Sequence, residues 1–215
     1  MNATPPALRI KSQWFKPGVA RTAADHASAM AFIVFRQANH WLKRMRGAHF
    51  EIDAGPAYFA FLHEVLAFLV AVTDRLAHQR LAADGRAEFT TALVRHLART
   101  LAENERDLLG PENEGAARYE DRFIDLVNAL SGHYAEFGAD PQAQREGRDF
   151  EPDFAFLRYL GHRLEPTLPE HDRRWVIDQV MAAEAPDAVA IVQRSMKNLF
   201  DPSPRRARRA AMSGE

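Results

Sequence analysis

AYFAFLHEVLAFLVAV, residues 57–72, has no polar face. A surface helix would show a charged side at helical spacing and a half-buried strand would alternate, so a stretch that does neither reads as a helix enclosed on all sides. His63 and Glu64 interrupt it, and the run falls short of the ~20 apolar residues needed to cross a bilayer, which rejects a membrane span and puts the segment at the centre of a bundle. Pro56 suits the first turn, and Asp84-Gly85 reads as the stop signal, giving a core helix over 56–83.

Working outward, residues 17–46 predict a first long helix that opens on Pro17, stops at Gly47, and carries Arg44 and Arg46 in its last turn, where cations suit the helix dipole. Its middle, 27–35, is apolar almost all round. Residues 86–109 predict a third helix with a stripe of Phe89, Leu93, Leu97, Leu101 and Leu108, closed by Gly110-Pro111. Residues 116–137 give the cleanest period, through Tyr119, Phe123, Leu126, Leu130 and Tyr134, ending at Gly138. After a polar loop at 139–151 come three shorter helices over 153–164, 170–185 and 187–200, separated by Pro166, Pro169 and Pro186. Trp175, Val176 and Val180 are expected on the inner face of the second of these, and Val189, Val192, Met196 and Phe200 on that of the last. No stretch has the alternation of a strand.

The expected fold is therefore all-α: four longer helices in an antiparallel bundle around a central helical hairpin, with about three shorter C-terminal helices packed on it and no sheet. One domain over 17–200 is expected, with residues 1–16 as a flexible arm and 201–215, containing RRARR, as a disordered basic tail. With 47% hydrophobic and 27% charged residues in 215, the chain has the composition of a folded globule.

There is no cysteine, which excludes disulfides, thiolate metal sites and thiol nucleophiles. The N-terminal residues lack the apolar core of a secretion signal, so a cytoplasmic location is expected. No Gly-x-Ser-x-Gly, Gly-x-Gly-x-x-Gly or Walker sequence occurs, which leaves acyl-transfer elbows and nucleotide-cradling loops without support and predicts no cofactor. The net charge of −1 hides a lopsided distribution. Residues 1–50 are basic and residues 103–140 acidic, and the two regions either face each other within the fold or form separate patches for partners. Lys43, Arg44 and Arg46 form the candidate interaction patch. The first helix is too long for a compact helix-turn-helix reader, so nucleic acid is not expected as a partner.

If the first two helices form a hairpin around residues 51–54, positions summing to about 102 are neighbours. That register places His40 near His63 and Glu64, and His26 near Asp74 and His78. Glu64 lies within the apolar half of the core helix, where an unpaired carboxylate costs several kcal/mol, so it needs a partner such as Arg36, a raised pKa, or an opening to water. His40, His63 and Glu64 are thus the candidate ligand cleft. His26, Asp74 and His78 are the candidate metal ligands, although the Glu-x-x-His pairs of helical di-metal sites are missing.

Residues 106–164 carry a further pattern: Leu108, Leu109, Gly110 and Pro111, then His133, Tyr134 and Gly138, then Glu151, Pro152 and Asp153 opening the segment FAFLRYLGHRL. This order resembles the all-α maturation chaperones of the TorD and NarJ type. The family's histidine after the aspartate is replaced here by Phe154. The resemblance implies a cytoplasmic chaperone that binds signal regions of redox-enzyme subunits, with a groove near Gly110 and Asp153. Taken together, the residues favour a non-enzymatic accessory protein that acts through protein contacts, with homodimerisation through an apolar helix face as one form of it. The chaperone and a helical-bundle ligand- or metal-binding protein are the alternatives.

Overall fold

A computed structural model describes residues 21–138 and 146–200. The expected N-terminal arm and basic tail lie outside the described residues, as do the start of the first helix and residues 139–145 of the loop.

The fold is an all-α bundle, and no strand occurs among the described residues. Its helices are α1 (Ala23–Gly47), α2 (Pro56–His78), α3 (Ala83–Leu109), α4 (Tyr119–Glu136), α5 (Phe154–Leu164), α6 (Glu170–Gln179) and α7 (Ala185–Phe200). A 3-10 turn, Glu165–Thr167, follows α5, and a π-helical turn, Val180–Glu184, joins α6 to α7.

The segment that sets the fold is α2, which packs against α1, α3, α4, α5 and α7. Phe61, Leu62, Val65, Leu66, Phe68 and Leu69 are fully buried. Each such side chain contributes about 1.5–3 kcal/mol by leaving water. By length and composition alone α2 could cross a bilayer, and 67% of its most apolar window is buried inside the protein.

Tyr58 donates a hydrogen bond to Asn39 Oδ1 (3.1 Å) and Trp41 meets Phe68 edge-on (6.1 Å), so α1 and α2 run antiparallel in about the expected register. The most extensive helix pair, however, is α1 with α3. Ala27, Ala31 and Ala38 on α1 and Ala98 and Ala102 on α3 are buried, and such small side chains let two backbones approach closely. The N-terminal parts of these helices meet around one ring: His26 and Phe89 both pack on Phe200 of α7, at 4.6 and 5.8 Å. The two helices are therefore parallel.

Several boundaries differ from the sequence reading for identifiable reasons. Among the described residues, α1 begins at Ala23 because Thr22 and Asp25 form a capping box, each side chain accepting from the other's backbone N–H. The α2–α3 break falls at 79–82, before Asp84-Gly85, which lies in the first turn of α3. Gln79 and Arg80 hold that break by bonding the Arg148 carbonyl, the Phe150 amide and the Asp149 carboxylate. Pro186 does not end a helix: the π-helical turn Val180–Glu184 runs without a break into α7, and its wider spacing accommodates the missing N–H of the proline. Leu108 leaves the inner stripe and is 51% exposed, because the buried row Phe89, Leu93, Leu97, Leu101 steps by four residues and continues to Glu105. Trp175 is 55% exposed for the same kind of reason: the inner row is Asp172, Val176 and Val180, and Trp175 lies one residue, or 100°, off it, with Arg174 over its ring at 4.9 Å.

Candidate functional site

The two polar residues inside α2 point to different neighbours. Glu64 accepts from Arg163 of α5 through Nε (3.0 Å) and through Nη2, a two-pronged pairing that ties α5 to the core helix. The expected partner, Arg36, is exposed on α1 instead. The Tyr134 phenol is buried without a hydrogen-bond partner. Its pKa is raised well above 10, first by burial and then by the charge of Glu64, so it stays protonated at neutral pH. His63 turns the other way, toward α3 and α4. Its Nε2 lies 3.5 Å from Glu105 and its ring 5.6 Å from Phe123. Glu105 is only 2% exposed and accepts from Arg122 (3.2 Å), whereas His63 Nε2 makes no hydrogen bond among the described residues.

His40 does not join this pair. It is exposed on the outer side of α1, whose inward row at that level is Gln37, Ala38, Trp41 and Leu42. The hairpin register brings His40 level with His63 but on the wrong face, and the cleft of His40, His63 and Glu64 is not assembled. In its place are two polar ties within the bundle, both made by residues flanking the same peptide bond.

The second set separates as well. Asp74 accepts from Arg86 through Nε (2.9 Å) and Nη2, and from the Thr90 hydroxyl (2.7 Å). His78 Nδ1 is 3.4 Å from Arg86 Nη1. A guanidinium thus stands between the carboxylate and the imidazole, where a metal ion would have to sit. His26 packs on Phe200, and burial holds its pKa below the usual 6.5. Among the described residues no group of three or more His, Asp or Glu is placed to hold a metal ion.

Of the patch Lys43, Arg44 and Arg46, only Lys43 projects freely. Arg44 reaches buried Glu184 in the π-helical turn (3.1 Å) and Asp187 in α7. Arg46 donates from Nε to the Ile52 carbonyl (2.8 Å) and lies 5.5 Å over the Tyr58 ring, closing the α1–α2 connection. These two arginines hold helices together, and the accessible cations besides Lys43 lie outside the patch. Arg36 and Lys43 on α1 and Arg95 and Arg99 on α3 are exposed, and among the described residues none has an ion-pair partner. Phe32, 47% exposed, stands among them one helical turn before Arg36. The apolar look of residues 27–35 concealed it, yet Phe32 falls on the same row as Ser28, Arg36 and His40, a spacing that marks the outer face.

The acidic region lies apart. Asp107, Glu114, Asp121, Asp125 and Glu136 are exposed on and around α4, which packs on α2 and α3. Its ion pairs are internal: Arg106 with Glu112 and Glu120, and Arg122 with Glu105. Among the described residues no ion pair joins the basic stretch of α1 to the acidic residues around α4.

The motif positions of the chaperone resemblance converge only in part. Gly138, at φ +70°, donates its N–H to Asp153 Oδ2 (3.0 Å), while Asp153 Oδ1 caps α5 by accepting from the Phe156 amide (2.8 Å). Gly110 sits at the opposite end of α4, where its carbonyl accepts from the Tyr119 hydroxyl (3.1 Å). The length of α4, about 27 Å at 1.5 Å per residue, separates the two ends, so Gly110 and Asp153 do not frame one groove. Two open depressions among the described residues have volumes of about 490 and 500 Å3. The first lies between α1 and α3 and the second between the α1–α2 connection and α6. No protein-family model, curated protein or solved structure matches this chain.

Proposed function

We propose that the protein is a non-enzymatic accessory factor of the cytoplasm that works by holding another protein. The observation that carries this reading is the set of exposed cations on α1 and α3 that, among the described residues, pair with no carboxylate, with the exposed ring of Phe32 one helical turn from Arg36. Separated surface potentials steer and orient protein partners, and an aromatic among cations supplies the apolar contact that gives a complex its lifetime. The polar groups inside the bundle fit the same reading. Glu64, Glu105 and Asp74 are each engaged by an arginine of another helix or turn, and burial keeps the Tyr134 phenol protonated, so these groups tie helices together.

The test is affinity purification of the full chain from its own cells, beside an Arg36→Glu/Lys43→Glu variant. Arg44 and Arg46 stay intact because they serve the fold. A protein recovered in fixed ratio with the parent chain and lost with the variant, at unchanged thermal midpoint, is the expected result. Identical recoveries would remove the reading.

A maturation chaperone of the TorD and NarJ type is the second reading, supported by the Gly138–Asp153 contact and by Phe154, which is 63% exposed beside it. It predicts saturable binding of a labelled redox-subunit signal region that weakens in Phe154→Ala. A flat titration counts against it.

A further inference from the structure

The seam where α1 and α3 run side by side is an open trough with a defined chemistry. Ala24 from α1 and Ala87, Thr91 and Ala92 from α3 line the depression of about 490 Å3, and Arg95 and Arg99 stand on its rim. Half of the lining is thus small and mostly apolar, and His96 and Glu88 complete it beside the two arginines. Phe32 lies eight residues along α1 from Ala24 and about 80° round the helix, on the i, i+4 ridge that runs through Ser28, so an exposed ring stands beyond the end of the depression. Arg36 follows one turn later. The seam therefore offers an apolar track bordered by guanidinium groups.

An apolar track between two parallel helices takes the ridge of a third helix, whose side chains at i, i+4 and i+7 fall in line. The unpaired cations call for carboxylates on the flanks of that ridge. Glu88 lines the depression and Glu103 lies one turn beyond Arg99, and these two acids would repel a continuous phosphate backbone while leaving room for discrete carboxylates between them. A second copy of this chain across a twofold axis would set Arg36, Arg95 and Arg99 against their own duplicates, which disfavours that occupant.

We infer that the α1–α3 seam is the docking site for an acidic amphipathic helix of a partner protein. The ridge of that helix lies on Ala24, Ala87, Ala92 and Phe32, and its glutamates or aspartates meet Arg95, Arg99 and Arg36. This inference rests on the protein-contact reading above and names the chemistry of the partner.

The experiment is a fluorescence-anisotropy titration of the full chain with a labelled helical peptide of about 18 residues, carrying leucines at i, i+4 and i+7 flanked by glutamates. The same peptide with lysine at every glutamate, and oligothymidylate of about 20 nucleotides, are run beside it. The glutamate peptide is expected to bind saturably, at least about tenfold more tightly than the lysine peptide, and to weaken about tenfold in Phe32→Ala. Arg95→Glu/Arg99→Glu should abolish the binding, and Phe154→Ala should leave it unchanged.

Equal binding of the two peptides, no binding of either, indifference to Phe32→Ala, or a preference for oligothymidylate would each overturn the inference. So would self-association in sedimentation velocity that Arg95→Glu/Arg99→Glu abolishes, since the seam would then belong to a second copy. If the peptide fails while a cellular partner is still lost with Arg36→Glu/Lys43→Glu, the acidic-helix chemistry falls and the protein-contact reading stands. If both fail, the reading itself falls.

Discussion

Glu64 and Arg163 stabilise the fold only together. A buried carboxylate robbed of its guanidinium is left desolvated, whereas a matched pair exchanged for apolar residues loses little. Arg163→Ala is therefore expected to cost about 3 kcal/mol in urea unfolding, and Glu64→Leu/Arg163→Met to fall within about 1 kcal/mol of the parent. An Arg163→Ala loss below about 1 kcal/mol would mean that water reaches Glu64 freely. Glu112 shows the pH side of the same chemistry. The guanidinium of Arg106, together with the backbone N–H groups that it accepts, depresses its pKa from 4.5 to about 2. A carboxyl whose folded pKa lies below its unfolded value contributes stability above pH 4.5 and loses it as pH falls toward 2. Carbon-detected NMR should find Glu112 still ionised at pH 3.5, and Glu112→Gln should flatten the acid limb of the stability curve. A titration midpoint near 4.5 would show the Arg106 contact to be absent in solution.

At the scale of elements, two features fix how the C-terminal helices sit on the bundle. Gly138 ends the described part of the α4 region in the left-handed conformation, and a Cβ there would come within 2.8 Å of the Phe150 ring. Gly138→Ala is accordingly expected to destabilise by about 2 kcal/mol or more, since backbone strain and overpacking act at once. Thermal unfolding of that variant checks it, and an unchanged midpoint would show that Phe150 moves aside without cost. The π-helical turn Val180–Glu184 is the second feature. Its extra residue lets the row that buries Val176 and Val180 continue into Ala185, Val189 and Val192, while presenting Glu184 to Arg44. The sequence reading put a helix break at Pro186, because proline is the commonest local signal for one. Here a wider turn just before it absorbs the change, and that turn has no side-chain signature.

At the scale of the whole molecule, α2 has neighbours on every side. Its central amides, 62–72, should exchange with deuterium only through global unfolding, more slowly than those of α6. Mass-resolved exchange in buffer without detergent is the measurement. Exchange of that segment at the rate of α6, or recovery of the chain only in detergent, would mean that its enclosure by the other helices does not hold in water. The net charge is close to zero, yet among the described residues cations without an ion-pair partner lie on α1 and α3 and such acids lie around α4.

The sequence by itself determined the helices and the identity of the central one. Unbroken apolarity over 57–72, the four-residue step through Phe89 to Leu101, and the glycine and proline stops are local facts, and local periodicity is what a helix converts directly into a buried face. Only the tertiary structure decided which partner each polar side chain meets. His40 and His63 are level along the α1–α2 hairpin, yet the angular position of each helix sends one to water and the other to Glu105. Glu64 finds Arg163, 99 positions away, because α5 packs there. Helix rotation and the choice of neighbours depend on how all the faces pack at once, and no window of sequence contains that sum.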